Sequence, residues 1–232
     1  MYAHIREWFG DFVALFYPHY CLGCGSGLAK GEETLCTQCR VELPRTHYHL
    51  HTDNPVMKRL QGRLPLTHAY AFLHFRKFGI VQRLMHELKY HHHPEIALTL
   101  GRVFGHELHA SAKRYEAIVP VPLHITKKRR RGFNQSEEFA RGLSETMQCP
   151  MLPNAVVRTY QTETQTRKSR LLRWYNVATA FRVTDANALT NKHVLLVDDV
   201  ITTGATVEAC GRALLQAGCA SLSIAGIAYA EQ

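Results

Sequence analysis

No stretch of the 232 residues approaches the roughly 18 consecutive apolar positions that a membrane-crossing helix requires. The N-terminus also lacks the basic start and small-residue cleavage site of a secretory signal, so the chain is expected to work in the cytosol. Acidic residues are in short supply, 19 Asp and Glu against 28 Lys and Arg, and the net charge is +9. That balance favours anionic partners, whether phosphorylated metabolites, nucleic acid or an acidic membrane surface, without choosing among them. There is no internal repeat, and no low-complexity tract beyond His91-His92-His93. Consecutive residues point in different directions, so those histidines read as exposed polar groups at a helix end rather than a metal site. A Gly-x-x-x-x-Gly-Lys spacing is missing, which excludes a Walker-type nucleotide loop.

Cysteines are seven, and four of them stand as two close pairs rather than scattered as in a disulfide framework. Cys21-x-x-Cys24 and Cys36-x-x-Cys39 are separated by 11 residues that include Gly25, Gly27 and Gly31. Each turn presents two thiolates to one ion, and two turns complete a tetrahedral Zn²⁺ site. With all four positions filled by sulfur, the site is expected to be structural and closed to substrate; a redox dithiol and an iron–sulfur cluster are the alternatives. So small a knuckle has little core, and its fold should depend on the metal. Cys149, Cys210 and Cys219 read as small apolar fillers.

The length suits one α/β domain with a small appendage. Trp8, Phe9, Phe12, Val13, Leu15 and Phe16 repeat at helical spacing before Pro18, which predicts a helix over 1–18 packed on its own protein rather than a membrane or partner anchor. With the knuckle at 19–45 it forms a first unit, 1–45. Residues 46–66 read as a polar, His- and Pro-containing linker, and the main domain runs over 67–232. Within it the pattern predicts a strand over 70–78 and helices over 80–88 and 96–108, interrupted at Pro94. Strands follow near 116–121, 155–158, 179–183, 193–198 and 221–229, with helices over 135–147 and 205–217. Such alternation argues for an α/β fold, a largely parallel sheet covered by helices on both faces. Asn134 with Glu137 resembles a capping box, and Gly218 stands where the last long helix must stop.

His193-Val194-Leu195-Leu196-Val197 is a β-forming apolar run that should lie in the middle of the sheet. It ends in Asp198 and Asp199, and open α/β sheets bind ligands beyond the carboxyl ends of their strands. Thr202-Thr203-Gly204-Ala205-Thr206 is small, rich in hydroxyls and leads straight into a helix. Such a turn can wrap amides and hydroxyls around a phosphate while the helix N-terminus adds its positive partial charge. Two acids beside a phosphate cradle repel the ligand unless they serve neutral hydroxyls or a metal. A ribose 5-phosphate meets both demands; a plain strand-turn-helix connection is the alternative.

At these residues the chain resembles the type I phosphoribosyltransferases, and more narrowly the ComF family. The resemblance rests on the paired CxxC knuckle, Val119-Pro120-Val121-Pro122-Leu123, Arg131-Gly132-Phe133-Asn134-Gln135, Thr164-Gln165 with Arg173-x-x-Asn176, and Val197 to Thr206, in that order. It implies a type I phosphoribosyltransferase-like core behind a four-Cys zinc finger, binding phosphoribosyl pyrophosphate (PRPP) with Mg²⁺. In that reading Asp198, Asp199, Arg131 and Arg173 carry the chemistry. Val121 and Pro122 hold pyrophosphate, and Thr202, Thr203, Gly204, Ala205 and Thr206 hold the 5′-phosphate. Gln165, Arg170 and Asn176 belong to a hood that closes on the ligand; an idle loop is the alternative. Of the cations Lys127-Lys128-Arg129-Arg130-Arg131, Arg131 is assigned to the ligand and the other four to nucleic acid, with a solvated charge run as the bland reading.

Purine-salvage members of the superfamily carry an acid where this chain has Thr202, which argues against purine salvage, and no base-recognition segment is evident. The family implies a part in natural transformation, handling incoming single-stranded DNA, with a DNA-uptake helicase as a possible neighbour. A metabolic phosphoribosyltransferase acting on a base or amine, and a non-catalytic PRPP or nucleotide sensor, are the rival readings.

Overall fold

The computed structural model describes residues 19–111, 113–159 and 180–231. The expected helix over 1–18 lies outside them. The first helix, α1 (Thr37–Glu42), closes the knuckle, with Cys36 as its N-cap. Helix α2 (Pro55–Leu60) follows, capped by Asn54 Oδ1, which accepts from the amides of Val56 and Met57 at 3.1 and 3.0 Å. Strand β1 (His68–Phe75) leads into α3 (Ile80–Tyr90) and α4 (Pro94–Ala110), and Pro94 opens α4 because its missing N–H costs nothing in the first turn. After β2 (Ala117–Pro120) come α5 (Ile125–Arg131) and α6 (Gln135–Met147). A short pair, β3 (Val156–Arg158) and β4 (Phe181–Val183), precedes β5 (His193–Ile201), α7 (Ala205–Gln216) and β6 (Ser221–Ala230).

The main sheet has the order β1-β6-β5-β2, every pair parallel, while β3 and β4 pair antiparallel apart from it. The two most apolar strands take the centre, as a sheet covered on both faces demands. Alternate residues of β5 feed two cores. Leu195 and Val197 pack with Leu84, Leu100, Phe104 and Phe139 of α3, α4 and α6 on one face. Val194 and Leu196 pack with Val56, Leu60, Val207 and Leu214 of α2 and α7 on the other.

Helices α4 and α6 touch backbone to backbone. A Cβ on Gly101 would lie 2.3 Å from the Phe139 carbonyl oxygen, and one on Gly142 would lie 2.3 Å from that of Leu98. The knuckle is docked on the same face: Cys21, Leu35, Cys39 and Leu43 join the first core, and the hydroxyls of Thr34 and Thr99 meet at 3.1 Å.

Several local expectations change. The stretch 46–66 is packed chain rather than slack linker, because Val56, Leu60 and Leu64 fill the second core beneath α7. The strand expected over 70–78 ends at Phe75, where residues 76–79 turn with Phe78 at φ 61° and the Gly79 amide bonded to the Arg76 carbonyl at 3.3 Å. Strand β5 continues through the acid pair, with Asp198 opposite Gly226 and Ile201 opposite Tyr229. Asn134 does cap α6, accepting from the Ser136 amide at 3.2 Å. Gly218, at φ 92°, turns the chain after α7.

Candidate functional site

The end of β5 places the two carboxylates differently. Asp198 is buried, and its Oδ1 accepts from the Ser136 hydroxyl at 3.2 Å and from the Asp199 amide at 2.8 Å. Burial pushes its carboxyl up to about 7, the Asp199 charge adds to this, and these hydrogen bonds with the Lys89 charge oppose it. Asp199 faces the cleft, where its Oδ2 lies 2.8 Å from Lys89 Nζ, while its Oδ1 accepts from the Val200 amide.

Opposite stands the exit of β2. Asn134 Nδ2 donates to the Val121 carbonyl at 3.0 Å, tying the β2 exit to the start of α6. The five cations form α5, ended by Gly132 in the left-handed region with its amide on the Lys128 carbonyl at 2.8 Å. Four of them, Lys127, Lys128, Arg129 and Arg130, are exposed. Arg131 turns inward and is buried: one guanidinium nitrogen donates to Gln135 Oε1 at 2.8 Å, whereas its Nε and Gln135 Nε2 find no protein partner. Buried unpaired donors beside a cleft are costly unless a ligand or water meets them.

The cleft between these elements is about 180 Å³ and is lined by Asp198, Asp199, Lys89, Arg131, Lys127 and Arg158 among others, with Val121, Pro122 and Thr206 also on its wall. A smaller hollow of about 20 Å³, sharing Asp198, Val200 and Thr206 with the cleft, lies within the loop Thr202-Thr203-Gly204-Ala205. Thr202, Thr203 and Thr206 are exposed there. Gly204 sits at φ 77°, a conformation glycine takes without strain, and a Cβ would meet Leu60 Cδ2 at 2.7 Å. Arg63 braces the loop from below, donating to the Thr203 carbonyl at 2.6 Å and pairing with Glu208.

The structure therefore brings Asp198, Asp199, Val121, Pro122, Lys127, Arg131 and the 202–206 loop to one end of the sheet. Gln165, Arg170, Arg173 and Asn176 lie outside the described residues. Sequence reasoning missed Lys89, Ser136, Arg158 and the buttress Arg63. Ser136 adjoins the Arg131-to-Gln135 block, so proximity could have found it. Lys89 and Arg63 carry no local signal, since a lone cation in a helix or turn reads as solvated surface.

The knuckle forms a second cluster. The ligand atoms of Cys21, Cys24, Cys36 and Cys39 lie within 4.8 Å of one another, with Cys24 and Cys36 Sγ 3.7 Å apart. A tetrahedral zinc with bonds of about 2.3 Å has sulfur–sulfur edges of about 3.8 Å, so the set fits that ion. Amides of Gly23 and Cys36 donate to Cys21 Sγ at 3.3 and 3.2 Å, as thiolates require. Hydrogen bonds from Ser26 draw the Cys24 thiol down to about 6, while burial pushes Cys39 well up.

The phosphoribosyl transferase domain family matches residues 98–232, the span that holds β2, α5, α6, β5 and the 202–206 loop. Among curated proteins, the DNA utilization protein YhgH of Escherichia coli K12 is 35% identical over 217 residues, 91% of each chain. The chain belongs to the ComF family. Competence protein F of Haemophilus influenzae is 28% identical over 93% of this chain and 99% of its own. Competence protein ComFC of Bacillus subtilis is 29% identical over 86% of this chain and 73% of its own. These alignments extend well ahead of residue 98, so the ComF relationship takes in much of the chain's N-terminal part as well as the transferase domain. Among the described residues of this ComF protein, no helix is long and apolar enough to cross a membrane.

Proposed function

We propose that the cleft binds PRPP, or another ligand ending in ribose 5-phosphate. The observation that carries this reading is the joining of an acid pair, a hydroxyl-rich loop at a helix N-terminus and the cleft-lining cations Arg131, Lys127 and Arg158 around one cleft and the hollow that adjoins it. The ribose 2′- and 3′-hydroxyls would meet Asp198 and Asp199, and the 5′-phosphate the amides and hydroxyls of 202–206. Pyrophosphate would lie toward Val121, Pro122 and Arg131, whose unpaired Nε is the kind of donor it needs. Mg²⁺ fits this site as an ion carried by the ligand, because one oxygen of Asp198 and both of Asp199 are already engaged by the protein. When bound it would neutralise leaving-group charge. The four-Cys knuckle would hold one structural Zn²⁺.

The relatives' names, DNA utilization protein and competence protein, support a part for this chain in handling DNA during uptake. The exposed cations of α5, Lys127, Lys128, Arg129 and Arg130, supply a surface for phosphates beside the cleft.

Isothermal titration with PRPP and Mg²⁺ tests the cleft. Saturable binding to the wild type, lost in Asp198→Ala, is expected; equal binding by both would remove the acid pair from the site. A screen of bases and amines for pyrophosphate release then separates an enzyme from a sensor. Gel shifts with single-stranded DNA, repeated after Lys127, Lys128 and Arg130 are changed to Ser, should show weaker and less salt-dependent retention. Unchanged retention would exclude that surface.

A further inference from the structure

Helix α3 precedes the span that matches the phosphoribosyl transferase domain, yet its Lys89 reaches the acid pair. The side chains of Lys89 and Asp199 are each 21% exposed, so this is a partly desolvated pair at the cleft wall rather than a mobile surface contact. The end of α3 is held in place. Leu84 and Leu88 are fully buried under it, His92 Nδ1 lies 3.1 Å from the Arg131 carbonyl oxygen, and the Arg130 and Arg131 guanidiniums each stand 6.0 Å from the centre of the Tyr90 ring. Lys89 is thus fixed between the helix that carries it and the α5 cations on the other wall.

A bare Mg²⁺ ion needs several oxygen ligands in strict geometry. The acid pair offers it few, since Asp199 is shared between Lys89 and the Val200 amide and Asp198 faces Ser136. An ammonium, by contrast, has three donors and can keep its carboxylate while donating to a ligand hydroxyl or pyrophosphate oxygen.

We propose that Lys89 is a member of the ribose phosphate site, supplied from outside the span that matches the transferase domain family, and that its ammonium takes the flank of the acid pair where a divalent cation would otherwise bind. This rests on the reading of the cleft as a ribose phosphate site. It makes ligand binding only weakly dependent on Mg²⁺ and makes α3 part of the site.

The test is calorimetry of the full, zinc-loaded chain with PRPP and with ribose 5-phosphate, in Mg²⁺ and in magnesium-free buffer without chelator, which would strip the knuckle. The wild type should bind within about threefold in the two buffers. Lys89→Met should lose about tenfold or more in the absence of Mg²⁺, the loss expected for one charge-assisted hydrogen bond, and recover part of it with Mg²⁺. Lys89→Arg should stay near the wild type. Lys89→Met should also gain affinity for Mn²⁺ alone, read by water proton relaxation, which a purely structural role would not produce.

Equal losses in both buffers, no loss at all, or a wild type that binds only with Mg²⁺ would each overturn the proposal while leaving the ribose phosphate reading intact. A wild type that binds neither compound in either buffer would overturn both.

Discussion

At the scale of single residues, the end of β5 is built against its own stability. Asp198 is buried beside a second acid, and its carboxyl rises from an ordinary 3.8 to about 7. Between those values the folded chain holds a proton that the unfolded chain has released, so stability falls as pH rises through the window. Asp198→Asn cannot ionise. Its stability relative to the wild type in urea denaturation should be greater at pH 8 than at pH 5, while ligand binding is lost. A difference that stays flat over that range would show that the carboxyl ionises as freely in the folded chain as in the unfolded one. Gly204 carries a second constraint, because an added Cβ suffers both the φ of 77° and the 2.7 Å approach to Leu60. Gly204→Ala should cost about 1–3 kcal/mol in denaturation and weaken binding of a phosphate-bearing ligand.

Elements are placed by close approach and by the knuckle. Helices α4 and α6 meet where Gly101 and Gly142 leave no room, so Gly142→Ala must part the two backbones; a loss of about 3 kcal/mol is expected by chemical denaturation. No loss, or the gain of about 1 kcal/mol that Gly→Ala brings at an uncrowded position inside a helix, would mean that the helices are not in contact there. The four-Cys knuckle inserts Cys21, Leu35, Cys39 and Leu43 into the core shared by α3, α4 and α6. One zinc per chain is expected by elemental analysis. A chelator or Cys39→Ser should lower the thermal midpoint of the whole protein, since a metal held by the four cysteines would be one structural unit with that core face.

For the whole molecule, the sheet does not respect the boundary of the transferase match. Residues 98–232 hold β6, β5 and β2, but β1 covers the outer edge of β6, and α2 and Leu64 cover its second face. A fragment of 98–232 would bare a long apolar edge strand and part of two cores. It should be insoluble or bind a hydrophobic dye, whereas the full chain stays soluble and folded in the same assay. A well-folded fragment would show that residues 46–97 merely decorate the domain.

Much of this was legible in the chain itself. A continuous apolar run marked the central strand β5, because a strand buried on both faces needs β-forming residues on both. The acid pair and the small hydroxyl-rich turn had to be neighbours, since they are consecutive, and the paired CxxC turns had to face one another to satisfy one ion. What the tertiary structure alone decided is everything that joins distant segments. Nothing local in Lys89 points to Asp199, in Arg63 to the Thr203 carbonyl, or in Leu60 to Gly204, for each pairing exists only once the sheet has brought α2, α3 and β5 together. Sequence patterns report the period of a segment and its local chemistry; which charges end up a hydrogen bond apart is set by the packing of the two cores.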